Sequence, residues 1–233
     1  MTGAGISVSA GIPDFRSEKG LFNHYQKYGA TDVMELLKID LVKKNPVPFY
    51  RLLKDWLSTE AEPTLAHRFI KVLHDQNRLL RVYTQNVDGL HTKADRIMRS
   101  GVAKCDCDGI IKPWILMYGD NMPEIENFVA KSSRQDFERC DLLIAMGTSF
   151  HVPEFLALVD RVGSGIPRVL INLEKVGLKS KSCPFGFEFD SPSNVRDIYL
   201  QQKCDEGALI LAKIMGCEQD VATTHRQVDE IIN

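Results

Sequence analysis

Three short segments constrain the fold of this chain more than anything else in it. "LLRVYT" (Leu79–Thr84), "DLLIAM" (Asp141–Met146) and "RVLIN" (Arg168–Asn172) are apolar along most of their length and partly β-branched. Each runs straight into polar or glycine-containing residues: "QNVDG", "GTS" and "LEKVG". A strand that is apolar on both sides has to be covered on both sides, which is the situation in a parallel sheet. The intervening sequence supplies the covers. "PTLAHRFIKVLHDQ" sets Pro63 in a first helical turn and then spaces Leu65, Phe69, Ile70, Val72 and Leu73 at helical intervals. "PVPFYRLLKDWLS" and "DEGALILAKIMG" follow the same pattern, the last stopped by Gly216. Strands alternating with helices predict an α/β fold, a Rossmann-like, doubly wound parallel sheet with right-handed crossovers. Ligands in such sheets bind beyond the carboxyl ends of the strands. The residues after each strand are therefore the ones to read for chemistry.

Composition excludes several classes. A formal net charge of −2 on 233 residues offers no basic surface for nucleic acid and no cationic face for a membrane. No apolar run reaches the length of a membrane span, and no charged-then-apolar leader opens the sequence, so an intracellular protein of cytoplasm or nucleus is expected. Six cysteines in a chain this long do not form a secreted disulfide framework. Cys140, Cys183, Cys204 and Cys217 read as reduced thiols, and only Cys105 and Cys107 form a close pair. The stretch 17–46 is helical and moderately polar, a lid or small-lobe segment, and 175–194 reads as surface loops.

The loops carry the chemistry. Gly3, Ala4 and Gly5, followed by Ile6, Ser7 and Val8, give a small-residue turn whose backbone amides can approach a pyrophosphate. Pro13 then leads an Asp14-Phe15-Arg16 triplet, able to grip a ribose and a phosphate. After the first apolar strand, Gln85, Asn86 and Asp88, with Val87 between them, can hydrogen-bond hydroxyls and a carboxamide. After the second, Gly147 permits close approach while Thr148 and Ser149 add hydroxyls. After the third, Asn172, Leu173 and Glu174 place a carboxylate where adenosine ribose hydroxyls are met in dinucleotide sites. Each cluster alone also fits a plain polar turn; three clusters at three strand ends point to one nucleotide.

In this order, GAGIS-x-SAGIPDFRS, YTQN-x-D, IKP-x-I-x-x-x-G, MGTS-x-x-V and LIN-x-E resemble the sirtuins, the NAD-dependent protein-lysine deacylases. "LINLEKVG", "FEFDS" and "RDIYLQQKCDEGALILAKIMG" are most similar to the class I branch that contains human sirtuins 2 and 3. The resemblance implies one catalytic domain over 1–233, with a Rossmann portion at about 1–17, 63–92 and 110–217 and small-lobe segments at about 18–62 and 93–109. It implies NAD along Gly3–Val8, with Asp14, Phe15 and Arg16 over the nicotinamide ribose. Gln85, Asn86, Val87 and Asp88 would line the ribose and carboxamide pocket, with Asn86 and Asp88 catalytic. Gly147, Thr148 and Ser149 would meet phosphate and ribose, Asn172, Leu173 and Glu174 the adenosine, and Cys204 the adenine. An acetyl-lysine strand of a histone or non-histone protein would pair beside Leu116, Met117 and Tyr118. The implied products are nicotinamide, O-acetyl-ADP-ribose and free lysine, with a histidine as general base on a ribose hydroxyl.

Three departures temper that implication. The family's E-x-HG histidine and the first CxxC pair of its zinc site are missing between "TQNVDG" and "IIKP". His91 is a weak substitute, expected to be a polar residue opening a helix, and His24, His67, His74 and His225 are expected to be solvated or capping. Cys105 and Cys107, at CxC spacing with no partner pair, read as the relic of a zinc site that holds no metal. Finally, the family has a hydrophobic strand before TGAGIS; without one, its two neighbours would show unpaired edges. The expectation is a truncated sirtuin whose deacetylase turnover is impaired. The alternative is an NAD- or ADP-ribose-binding pseudoenzyme.

Overall fold

The structure is a computed structural model that describes residues 1–49, 51–52, 61–91, 119 and 123–223. The expected helix at 46–58 therefore lies partly outside the described residues. So do Cys105, Cys107, Leu116, Met117, Tyr118 and His225, and with Cys105 and Cys107 the small-lobe segment 93–109.

Among the described residues three parallel strands form the sheet: β1 (Leu143–Met146), β2 (Arg168–Asn172) and β3 (Asp197–Gln201), in the spatial order β1-β2-β3. The register runs Leu143 opposite Arg168 to Met146 opposite Ile171, and Arg168 opposite Asp197 to Asn172 opposite Gln201. The alternation of β2 explains why its sequence is apolar throughout. Val169 and Ile171 pack into one core with the helices α4 (Leu65–Asp75) and α7 (Cys204–Ile214). Leu170, between them, packs into a second core on the opposite face. That face is covered by α5 (Pro123–Arg139), through Phe137, and by α6 (Pro153–Leu156) with the turn after it. The sheet is thus covered on both sides, and the α/β parallel arrangement expected from the sequence is present.

Around this frame several expectations change. Leu79–Thr84 does not form a ladder strand: only Thr84 is bridged, by Thr2. Met1 and Thr2 lie between it and β1, with Thr2 bridged in parallel to both Thr84 and Met146. Thr2 N–H donates to the Tyr83 carbonyl (2.8 Å), and Gln85 N–H to the Thr2 carbonyl (3.1 Å). On the other side Met146 N–H donates to the Met1 carbonyl (2.9 Å), and the Met1 amino nitrogen to the Ile144 carbonyl (2.6 Å). Strand β3 and helix α5 are unmarked by the sequence pattern, because one is a half-exposed edge and the other a mostly polar helix.

Helix α4 starts two residues later than its proline suggests. Thr64 is the cap, accepting from His67 N–H, and Pro63 precedes it. Helix α7 ends as expected, with Gly216 at φ 72°. The 175–194 stretch is more than surface loop. Phe187 is 1% exposed, bridges Leu178 and packs beneath the sheet.

Arg168 explains that burial. Its side chain is fully buried and all five guanidinium donors are used. Nε and Nη2 donate to the two carboxylate oxygens of Asp197 (2.6 Å each), Nη1 to Asp160 Oδ1 (2.6 Å) and the Val159 carbonyl (3.0 Å), and Nη2 also to the Gly186 carbonyl (3.1 Å). The loop is tied to the sheet by these bonds. Residues 21–52 hold a separate small cluster, Leu21, Tyr28, Ala30, Leu36 and Leu52, built on α1 (Leu21–His24), α2 (Met34–Leu37) and the connections around α3 (Ile39–Lys44).

Candidate active site

Directly after Thr2 the chain leaves the sheet and winds into a 3-10 helix over Ala4–Ala10, closed by Gly11 at φ 83°. What lets it turn so close to the strand ends is an interlock of three glycines. A Cβ on Gly3 would lie 2.7 Å from the Gly147 carbonyl oxygen, and one on Gly5 2.7 Å from Gly147 Cα. A Cβ on Gly147, itself at φ 59°, would lie 2.5 Å from Ile6 N and 2.8 Å from Cys204 Sγ. Gly3 N–H donates to the Met146 carbonyl (3.1 Å) and Gly5 N–H to the Gly147 carbonyl (2.8 Å), while Gly147 N–H reaches the Ile171 carbonyl (3.1 Å). The loop is thereby fixed to the carboxyl ends of β1 and β2.

Side chains from the 85–88 segment hold the other flank. Asn86 Nδ2 donates to the Gly3 carbonyl (2.9 Å), and Ser7, fully buried, donates from Oγ to Asp88 Oδ2 (2.6 Å). The other Asp88 oxygen accepts from Leu90 N–H (3.0 Å). Thr148 donates to Gln85 Oε1 (3.1 Å), joining the ends of two neighbouring segments, and Ser149 stands exposed beside it. Sequence-predicted residues Gly3, Gly5, Ile6, Ser7, Gln85, Asn86, Asp88, Gly147, Thr148 and Cys204 are brought together in this way. Ala4 and Val8 lie on the same turn, Val8 half exposed, and Val87 stands between Asn86 and Asp88. Burial pushes the Cys204 thiol up to about 12, so it is a packing group and not a nucleophile.

Two predicted groups make local contacts instead. At the end of β2, Asn172 Nδ2 donates to the Glu174 carbonyl (3.0 Å), and Gln201 to the Leu173 carbonyl (3.2 Å), leaving Glu174 exposed. Asp14 Oδ1 accepts from the N–H groups of Arg16 (3.1 Å) and Ser17 (2.9 Å), folding its own turn, while Phe15 and Arg16 pack on the Phe22 ring. An open cavity of about 460 Å³ flanks this turn, lined by Pro13, Lys19, Leu21, His24 and Tyr28 among others.

Beneath the loop lies a pair of histidines whose placement the sequence does not reveal. His67 is 1% exposed and not solvated. Thr64 Oγ1 spends its one proton on the Ile6 carbonyl (3.0 Å), so its 2.8 Å contact to His67 makes Nδ1 the donor. That leaves Nε2 as a lone-pair nitrogen, buried and without a hydrogen-bond partner. His91 meets this ring edge-on (centroids 4.7 Å apart) and contacts Thr2 Oγ1 through Nε2 (2.9 Å). Burial lowers both histidines to about 4, with His67 adding to the effect on His91. At neutral pH both are uncharged. Thr2, Thr64, His67 and Asp205 (below) are neighbours of the loop that sequence reasoning missed. Only Thr64, a threonine opening an apolar helical repeat, carries a readable signal, the cap.

The model of the Sir2 family matches residues 3–99 and 95–154, two pieces that meet just past the 85–91 segment. NAD-dependent protein deacetylase sirtuin-2 of Danio rerio is 36% identical over 262 positions, covering 95% of this chain and 68% of its own length. The chain belongs to the Sir2 family. A Dictyostelium discoideum protein named NAD-dependent deacetylase sir2A is 38% identical, over 94% of this chain and 49% of its own length. Mouse sirtuin-3, also named an NAD-dependent protein deacetylase, is 33% identical over 76% of this chain and 62% of its own. The chain therefore spans about half to two thirds of these sirtuins. The zebrafish alignment runs over more positions than this chain has residues, so the relative carries internal residues that this chain lacks. Among the described residues no group of three or more metal-ligating side chains comes together, and no helix is long and apolar enough to cross a membrane.

Proposed function

We propose that this sirtuin domain binds NAD across the ends of its parallel strands and removes acetyl groups from protein lysines at a reduced rate. The observation that carries the reading is the interlock of Gly3, Gly5 and Gly147 with the Asn86–Ser7–Asp88 network. A tight, small-residue turn is fixed at strand ends beside hydroxyl, amide and carboxylate groups. That donor and acceptor set fits a dinucleotide: Ala4–Val8 and Thr148 for phosphates, Ser149, Asn172 and Glu174 for ribose hydroxyls, and the wall near Cys204 for adenine. Asp14, Phe15 and Arg16 would close over the nicotinamide end.

When bound, NAD supplies the ribose carbon whose bond to nicotinamide is broken. The protein's share is orientation. Asn86 commits its amide protons to the loop and leaves Oδ1 to accept from a ligand. Gln85 accepts from Thr148 and leaves its NH₂ to donate. Asp88, held by Ser7, would set its carboxylate beside the ribose of bound NAD and favour positive charge there. Acetylated histone or non-histone proteins are the substrates, held beside Leu116, Met117 and Tyr118; neither nucleic acid nor membrane is a partner, and no zinc is required of the residues described.

Reduced turnover follows from the missing general base. The two-piece family match breaks close to where the base-bearing segment is expected, and His91 is turned to Thr2 and His67 with its basicity lowered. That same observation favours a second reading, NAD or ADP-ribose binding without turnover. One experiment separates them: NAD and an acetyl-lysine peptide are incubated with the protein at high concentration, and nicotinamide and deacetylated peptide are measured. Both products above background support slow deacetylation. Calorimetric NAD binding with neither product supports the binding reading, and no NAD binding by the folded protein defeats both.

A further inference from the structure

We infer that Asp205 is a positioning residue that latches the cofactor loop to helix α4. Its carboxylate, in the first turn of α7, spans two elements far apart in sequence. Oδ2 accepts from Ser9 Oγ (2.6 Å), near the end of the 3-10 turn, and Oδ1 accepts from Ala66 N–H (2.9 Å), in the first turn of α4. One carboxylate thus joins the exposed end of the loop to the amino end of α4. The first turn of α4 leaves amides without intrahelical acceptors. Thr64 caps one of them and Asp205 another.

The placement gives this carboxylate leverage over the loop. Near its start the loop is fixed by buried contacts: Gly3 to Met146, Gly5 to Gly147, Ile6 to Thr64, Ser7 to Asp88. At its far end Val8, Ser9 and Gly11 are exposed, and nothing within 4 Å would oppose a Cβ on Gly11. Ser9–Asp205 is the tether of that exposed end. Cys204, one residue earlier, packs against Gly147, so the same helical turn braces the loop at both ends. Set free, the far end would pivot about Gly11 and carry the phosphate-facing amides out of line. Asp205 acts through the loop, so its effect is on affinity. This deepens the NAD-binding reading and rests on it.

The test uses Ser9→Ala, Asp205→Ala, Asp205→Asn and the double alanine variant. Amide hydrogen exchange of residues 4–11 is measured without NAD, and NAD affinity by calorimetry. Ser9→Ala is expected to speed exchange in the loop and weaken NAD by about threefold to tenfold, with the melting temperature unchanged. Asp205→Ala is expected to weaken NAD equally and to lower the melting temperature as well, because α4 loses an amide acceptor. The double variant is expected to bind no more weakly than Asp205→Ala, since both changes cut one bond. Asn retains an acceptor for Ala66 and a donor for Ser9, so Asp205→Asn is expected to restore affinity. Unchanged loop exchange in Ser9→Ala, or additive losses in the double variant, overturns the latch. Wild-type protein that binds no NAD defeats the functional reading instead, and the exchange data still decide the latch.

Discussion

The two sides of the sheet are built from similar sequence and end up differently. Leu143–Met146 and Arg168–Asn172 pair residue for residue and continue into β3, with a buried arginine clamping the far side. Leu79–Thr84, as apolar and as β-branched, meets the two residues Met1 and Thr2 and is bridged at its last position. Apolar sequence makes a segment able to be a strand, and backbone pairing along its length makes it one. The Ala4–Ala10 turn sits on the seam: it hangs from Thr2 on the sparsely paired side and is locked to Gly147 on the fully paired side. One side supplies rigidity, and the other supplies most of the polar groups.

Breaking the fully paired side should cost most. Arg168→Met leaves the buried Asp197 without its cation, leaves Asp160 with only the longer Arg196 pair (3.7 Å), and cuts the ties to Val159 and Gly186. Removing one partner of a buried ion pair costs about 3–5 kcal/mol. Urea unfolding followed by circular dichroism should show a loss in that range. A loss below about 1 kcal/mol would mean that β2–β3 pairing, and not the arginine, holds this side.

The sparsely paired side has a pH-sensitive underside. Burial disfavours the charged form of His67 and lowers its pKa from the ordinary 6.5 of the unfolded chain to about 4 in the fold. Its contribution is complete above pH 6.5 and is lost progressively as the pH falls to about 4, since the unfolded chain then takes up the proton first. That amounts to about 2–3 kcal/mol over the window. Unfolding free energies at pH 7 and pH 4.5 should differ less in His67→Asn than in wild type. An identical pH slope in both would mean that other groups, His91 or the carboxylates, set the acid limit.

The same contrast explains what could be read from the sequence. Strands β1 and β2 and helices α4 and α7 are legible because each is buried against a neighbour on a regular period. Gly216, Gly3, Gly5 and Gly147 are legible because close turns leave no alternative. Strand β3 is not, because Ile198 on an edge is more than half exposed and Asp197 is buried by a partner 29 residues away. His67 looks like any helical histidine until Thr64 and Ile6 surround it. Asp205 is one of two acidic residues in a first turn, and only the fold reveals that it faces Ser9 and Ala66 while Glu206 is exposed. Residues that act across elements carry no local period.

At the seam, Gly147→Ala should sever the two sides with a smaller loss of stability. The added methyl meets Ile6 N at 2.5 Å and the backbone stays at φ 59°, so β1 and the loop must separate. The expected cost is about 2 kcal/mol, together with loss of NAD binding while helix α7 and the β1–β2–β3 ladder remain protected in hydrogen exchange. Intact NAD affinity would show that the loop does not need the strand end.

The smallest effect belongs to the outer pin of the sparsely paired side. Tyr83 donates to Asp136 Oδ2 (2.7 Å) and stacks on Phe137, so it fastens the extended 79–84 segment to helix α5, and Arg81 pairs with the same carboxylate. Tyr83→Phe keeps the stack and removes one hydrogen bond, which should cost about 1 kcal/mol or less. Because Asp136 keeps Arg81, no charge is stranded and the loss stays small. The informative reading is local. If the 79–84 segment depends on side-chain pins where its ladder is short, its amides should exchange faster in Tyr83→Phe while those of β1 and β2 do not change. Equal acceleration on both sides would show that the sheet responds as one unit and that its two sides differ in geometry but not in stability.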